Sequence, residues 1–288
     1  MSKTRMGCTA AILATLGLAL AGCGGGGGAS NAAPPSTTTT STDSGGTGQT
    51  EVAAIATIVQ DLLPNGEAVD LADRQYNPMG AGDSWVYTQF DANGQDTLTP
   101  VVKLVVSGDA ASGAVTVAES TGDTAGVQTS YTVDAAGSHD TDPLGEAPTV
   151  AKTLVGTLLD YPSVFYPSGS EQVSVRQGNW GADLDGDGKP EGFRLEMRTR
   201  FLGEEDLVAP TSLTPVHVVH LIKTITFTLY PSLGGTSQSA AATEETWAQA
   251  GVGLIKLVRA NLDADGLPLD SHTLVLKQAL VAGVQTGP

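Results

Sequence analysis

Apolar and polar residues alternate strictly through residues 193–201. Phe193, Leu195, Met197 and Phe201 share one face with Thr199, while Arg194, Glu196, Arg198 and Arg200 share the other. A period of two with one apolar face predicts a strand buried on one side and wet on the other. Shorter runs repeat the pattern. Trp85, Tyr87 and Gln89 oppose Val86, Thr88 and Phe90; residues 101–106 return; Val115 and Val117 share a face; Val127, Thr129, Tyr131 and Val133 follow. Residues 215–230 form a long apolar and β-branched run that reads as a central strand with a bend or bulge. Asp91-Ala92-Asn93-Gly94, Asp134-Ala135-Ala136-Gly137 and Asp263-Ala264-Asp265-Gly266 stand between or after such runs. In each, Asp stabilises a turn and Gly takes a left-handed position, so they read as hairpin connectors. The expected fold is mainly β: an antiparallel meander of about nine or ten strands. So many strands do not stay flat, which predicts a strongly curved sheet or half-open barrel with one or two packed helices.

Two stretches carry helical spacing instead. Val52, Ile55, Val59 and Leu62 recur at intervals of three or four, with Ile58 and Leu63 beside them, and Pro64-Asn65-Gly66 follows. This predicts a helix over 51–63, capped by Thr50. Val150, Leu154 and Leu158, with Val155 and Leu159, predict a second over 150–160, ended by Tyr161-Pro162.

Before residue 51 the pattern is different. Gly24 to Gly28 is unbroken glycine, and residues 29–50 are nearly all small or polar, including Thr37-Thr38-Thr39-Thr40. Such a stretch cannot bury enough surface to offset its ordering entropy, so 23–50 reads as a disordered tether. A flexible chain of that length spans on the order of 30 Å. Residues 51–288 then read as one β-rich domain that opens on a helix, with 232–239 a long loop inside it.

The start of the chain carries an address. Lys3 and Arg5 precede an apolar run from Ala10 to Leu20, and small residues lead to Cys23. That is the layout of a secretory signal over residues 1–22; the run is shorter than the ~20 residues needed to span a bilayer. Leu20-Ala21-Gly22-Cys23 resembles the lipobox of bacterial lipoproteins. The resemblance implies cleavage before Cys23, a diacylglyceryl group on its sulfur and an acyl group such as palmitate on its amine. Several acyl chains give stable anchoring, each buried CH₂ adding ~0.8 kcal/mol. Gly24, where Asp resembles an inner-membrane retention signal in enteric bacteria, favours the outer membrane.

Charge and cysteine count narrow the partners. The chain carries 14 basic and 31 acidic residues; loss of 1–22 removes Lys3, Arg5 and no acid, leaving a net charge of −19. Such a surface argues against nucleic acid and anionic headgroups as partners. Of the two cysteines, Cys8 leaves with the signal, so a lipidated Cys23 leaves no thiol for a disulfide within one chain.

Three patches extend the likeness. Gly82-Asp83-Ser84-Trp85-Val86-Tyr87, the segment from Leu202 to Pro210, and Glu245-Thr246-Trp247 through Lys256 resemble motifs of a diffuse group of uncharacterised β-rich bacterial lipoproteins. In architecture that group is similar to half-barrel lipoprotein carriers of the envelope. The group itself brings no known activity; a β-rich domain on a flexible tether, without a catalytic constellation, points to a non-enzymatic envelope lipoprotein whose curved sheet binds an apolar ligand or supports an envelope assembly. A structural or protein-interaction module of the envelope is the alternative.

One segment suits a metal. Asp183, Asp185 and Asp187 alternate in Asp183-Leu184-Asp185-Gly186-Asp187-Gly188-Lys189-Pro190-Glu191. This resembles calcium loops of dockerin-like and FG-GAP-like modules, and implies Ca²⁺ held by the three Asp carboxylates, the Lys189 carbonyl and Glu191. Arg194 stands where an EF-hand needs Glu, so the loop is not an EF-hand; a solvated acidic turn is the other reading. Catalytic patterns are weak. Gly82-Asp83-Ser84 matches a GDSL-type nucleophile block, but a strand follows it and Asp270-Ser271-His272 has the wrong spacing for its partners. His217 and His220 lie three apart on a strand, on opposite faces, which disfavours a shared metal.

Overall fold

The computed structural model describes residues 55–64, 66–68, 76–109, 111–122, 124, 126–208, 214–232 and 236–287. The signal, the tether and Cys23 lie outside these. Within the described residues the alternation becomes one antiparallel sheet of fourteen strands. They are β1 (Ile58–Leu62), β2 (Ser84–Phe90), β3 (Val101–Asp109), β4 (Ala114–Thr121), β5 (Val127–Asp134), β6 (Gly137–Asp140), β7 (Leu158–Pro162), β8 (Glu171–Asn179), β9 (Gly192–Leu207), β10 (Val216–Tyr230), β11 (Gln238–Gln249), β12 (Gly253–Leu262), β13 (Pro268–Val281) and β14 (Val284–Thr286). A single helix of the described residues, α1 (Thr149–Val155), precedes β7.

The sheet consists of two meanders, β2–β7 and β8–β13, joined where β13 pairs with β2. Strand β1 adds to β8 at one edge, β7 forms the other edge, and β14 folds back on β13. Residues 163–170 connect β7 to β8, next to the opposite edge. Eight residues reach at most ~28 Å, so the two ends of the sheet lie near each other. The sheet is therefore strongly curled but is not closed into a barrel, as the alternation predicts.

The inner face holds the core. On β9 the predicted face is the buried one: Phe193, Leu195, Met197 and Phe201 are covered, while Arg198 and Arg200 are exposed. Trp180 packs edge-on against Phe193 and Phe227, at 5.6 and 5.4 Å between ring centroids. Each such side chain contributes on the order of 1.5–3 kcal/mol by leaving water. Helix α1 lays Ala151 and Val155 onto this cluster. A second cluster around Trp85, Tyr87, Ile255, Leu257 and Leu276 fills the β13–β2 seam. The turns behave as expected: Asp91 accepts the amides of Asn93 and Gln95, and Asp263 those of Asp265 and Leu267.

Both helix predictions need correction. Residues 58–62 are an edge strand, not part of a helix over 51–63; residues 51–54 lie outside the described residues. The apolar stripe is not buried as one face: Val59, Leu62 and Leu63 are exposed, while Ile55 and Ile58 are partly covered. Pairing with β8 decides the conformation. Arg176 of β8 forks onto Asp61 at 3.0 and 2.9 Å and donates to the Gln60 carbonyl. The second helix stops at Val155 because Gly156 takes a φ of +61°. Leu158 and Leu159 belong to β7, so the predicted stripe joined a helix to a strand.

Candidate functional site

Register places a polar row across the inner face. Lys223 of β10 pairs with Glu244 of β11, Glu244 with Arg259 of β12, and Arg259 with His272 of β13. Lys223 lies in phase with Leu221, Ile225 and Phe227, so its side chain points into the core. Its ammonium donates to Glu244 at 2.7 Å and to Asp160 of β7. Arg259 donates through Nε to Glu244 at 2.7 Å. The side chains of Lys223 and Glu244 are 6% and 2% exposed. Burial alone would raise the Glu244 carboxyl, but Arg259 and Lys223 overcome it and hold the group well below the usual carboxylate range.

Across the curl, Lys103 of β3 pairs with Glu119 of β4 at 3.2 Å. Burial opposes the Lys103 charge, and the neighbouring Tyr161 and Glu119 more than restore it, so its pKa rises. These groups line a cleft with Asp140, Asp160, Glu244 and Arg259. Burial, with Asp160 and Asp142 nearby, pushes the Asp140 carboxyl up to about 6. Lys103, Tyr131 and Tyr161 also line a second cleft, whose remaining walls include Tyr76, Met79, Trp85, Phe165 and Leu221. The clefts thus meet, one ionic and one aromatic. Each encloses a volume of ≈ 60 Å³. That is room for a few waters.

The acidic loop joins β8 to β9. Asp183, Asp185 and Asp187 bring ligand oxygens within 4.8 Å of one another. Gly186 and Gly188, at φ of +82° and +86°, allow the coil. Asp183 accepts the amides of both glycines at 2.7 and 2.8 Å, and Asp187 accepts the Lys189 amide and the Ser232 hydroxyl. Glu191 is not in the group of three. It is 4% exposed, and its carboxylate accepts the amides of Leu184 and Asp185. Lys189 enters the loop through its amide.

The weak catalytic pattern does not assemble. Ser84 pairs with Leu280 of β13, whereas His272 sits eight positions away on that strand, ~26 Å along it. The two histidines stay on opposite faces: His217 meets Asp206 at 3.0 Å, and His220 meets Glu205 and Glu245 at 3.2 and 2.8 Å. No sequence motif marks the inner ionic row. Its signal is a charge in phase with an apolar face, as Lys223 stands between Leu221 and Ile225.

No family model matches the chain, and no curated protein is similar to it in sequence. Among solved structures, similar chains include one described as a lipoprotein from Parabacteroides distasonis. It is 12% identical with a TM-score of 0.37, and the match covers 74% of this chain and 99% of that one. Another is described as an exported protein with YmcC-like fold from Bacteroides fragilis, 12% identical with a TM-score of 0.34, over the same shares of each chain.

Proposed function

We propose that the protein is a non-enzymatic lipoprotein of the bacterial envelope, held in the outer membrane by lipid on Cys23, and that its domain binds an apolar ligand. The observation that carries the binding reading is the aromatic cleft of Tyr76, Met79, Trp85, Phe165 and Leu221, open to solvent on the inner face. Apolar pockets with a few convergent polar groups are the usual form of small-molecule sites. Here the polar groups are Lys103, Tyr131 and Tyr161 at the junction with the ionic cleft. As the cleft stands it suits a small ligand. Native mass spectrometry of the gently purified full chain tests this. An added mass that disappears on Trp85→Ala with the fold retained supports it; a clean apo mass counts against it.

A second reading is a structural or protein-interaction module with a Ca²⁺-stapled loop. It is favoured by the close approach of Asp183, Asp185 and Asp187, hard oxygen donors on a tight coil. Here the ion would brace the turn and do no chemistry. The expected outcome is a rise in melting temperature with Ca²⁺ that is absent in Asp185→Ala. Identical melts with Ca²⁺ and with chelator would remove the ion.

A further inference from the structure

Strand β9 contains one residue too many for its partner. Leu221 pairs with Phe201 and Val219 pairs with Glu204, so a step of two on β10 faces a step of three on β9. In a regular ladder Phe201 and Glu204 would point to opposite faces. The bulge puts them on the same face, and Gly203 absorbs the bend at a φ of +114°. The β7–β8 connection then seals this stretch. The Phe201 amide donates to the Ser170 carbonyl at 2.9 Å, the Gly169 amide donates to the Phe201 carbonyl at 2.7 Å, and the Ser168 hydroxyl donates to the Leu202 carbonyl at 2.7 Å. These bonds lay Phe165 and Tyr166 over Phe201, with centroids at 6.1 and 5.4 Å and steep interplanar angles.

A cavity of ≈ 170 Å³ results, lined by Phe165, Tyr166, Phe201, Glu204, Val219 and His220 among others. The walls are mostly apolar, and Glu204 brings the carboxylate, its side chain 37% exposed. The Tyr76 hydroxyl donates to Glu204 at 3.3 Å, and His217 stands 3.6 Å away. Acids crowd this end of the sheet, since Glu205 and Asp206 follow directly. Glu205 faces the other way, toward Trp247 and His220.

We propose that this cavity binds a small organic ammonium ion, with its alkyl groups against Phe165, Tyr166 and Phe201 and its charge on Glu204. Aromatic rings attract cations through their negative faces, and more strongly where water is excluded. The acidic surroundings repel anions. A calcium-type ion needs six or more oxygen ligands, and the cavity lining offers a single carboxylate. The site is separate from the aromatic cleft, although Phe165 and Leu221 contribute to both.

Choline and its uncharged isostere 3,3-dimethylbutan-1-ol separate charge from shape. Titrated into the full chain and followed by ligand-observed NMR, choline is expected to bind at least about tenfold more tightly. Glu204→Gln should abolish that preference, with an unchanged melting temperature as the control for folding. Glu205→Gln should leave it intact, because that side chain points away. Equal binding of the two probes, or no choline binding at ~10 mM, would overturn the proposal. So would an equal loss in Glu205→Gln, which would assign the effect to the general acidic field.

Discussion

The inner row of Lys223, Glu244 and Arg259 and the outer group of Arg194, Glu196, Arg198 and Glu171 lie on neighbouring strands of one sheet, on opposite faces. Their chemistry is alike: guanidinium or ammonium groups share carboxylates at 2.5–2.8 Å in Arg198 with Glu196 and Glu171, as Lys223 does with Glu244. Their surroundings differ. Arg198 is 48% exposed, whereas Lys223 is 6% exposed. Water and salt screen the outer group, so each of its pairs is worth little. The inner charges have left water, and their attraction must offset that desolvation before it adds any stability. The outer group can therefore be lost almost freely. The inner row is cheap only while it is complete.

Lys223→Met should show this most strongly. It leaves Asp160 without its nearest cation and Glu244 with Arg259 alone, and an uncompensated buried charge costs about 3–5 kcal/mol. Urea denaturation measures it, and a loss under ~1 kcal/mol would put the inner row on a par with the outer one. Asp140→Asn sharpens the comparison with the opposite sign. The Asp140 carboxyl sits at about 6 in the fold against an ordinary 3.8, so the folded chain holds that proton more tightly than the unfolded one. Its contribution favours the fold at low pH and is lost as pH rises through about 6. Removing the charge should stabilise the protein by about 1–3 kcal/mol at pH ~7.5, fading below pH ~4. Thermal melts across that range test it, and destabilisation at neutral pH would contradict it. Arg198→Ala is the small effect: a change within ~1 kcal/mol that shrinks further in high salt.

Much of the sheet can be read from the chain because alternation and turn chemistry are local. The face of β9 and the Asp-x-x-Gly turns follow from residues close in sequence, whereas the bulge expected in the 215–230 strand lies instead on its partner β9, where Leu202 has no opposite residue on β10. Residues 51–63 mislead because four apolar positions fit a helical period by number alone, while the partner that makes 58–62 a strand, β8, lies more than a hundred residues away. Leu154 and Leu158 fit one stripe across a boundary that only Gly156 marks. The loop of Asp183, Asp185 and Asp187 is legible because its residues are adjacent. The inner row is not, since Asp160, Lys223, Glu244 and Arg259 come from four strands, and only register brings them together.

The β13–β2 seam also bears on how the chain folds. Strand β2 must wait for β13, nearly the whole length of the domain later, before the two meanders become one sheet. Pairings that remote form slowly, because a long loop must close before any contact rewards it. Until then both meanders carry an unpaired edge along apolar strands, which is the condition that invites pairing with another chain. Truncation within β13 should therefore expose two interior edges at once, making the last strands the segment on which solubility during folding depends.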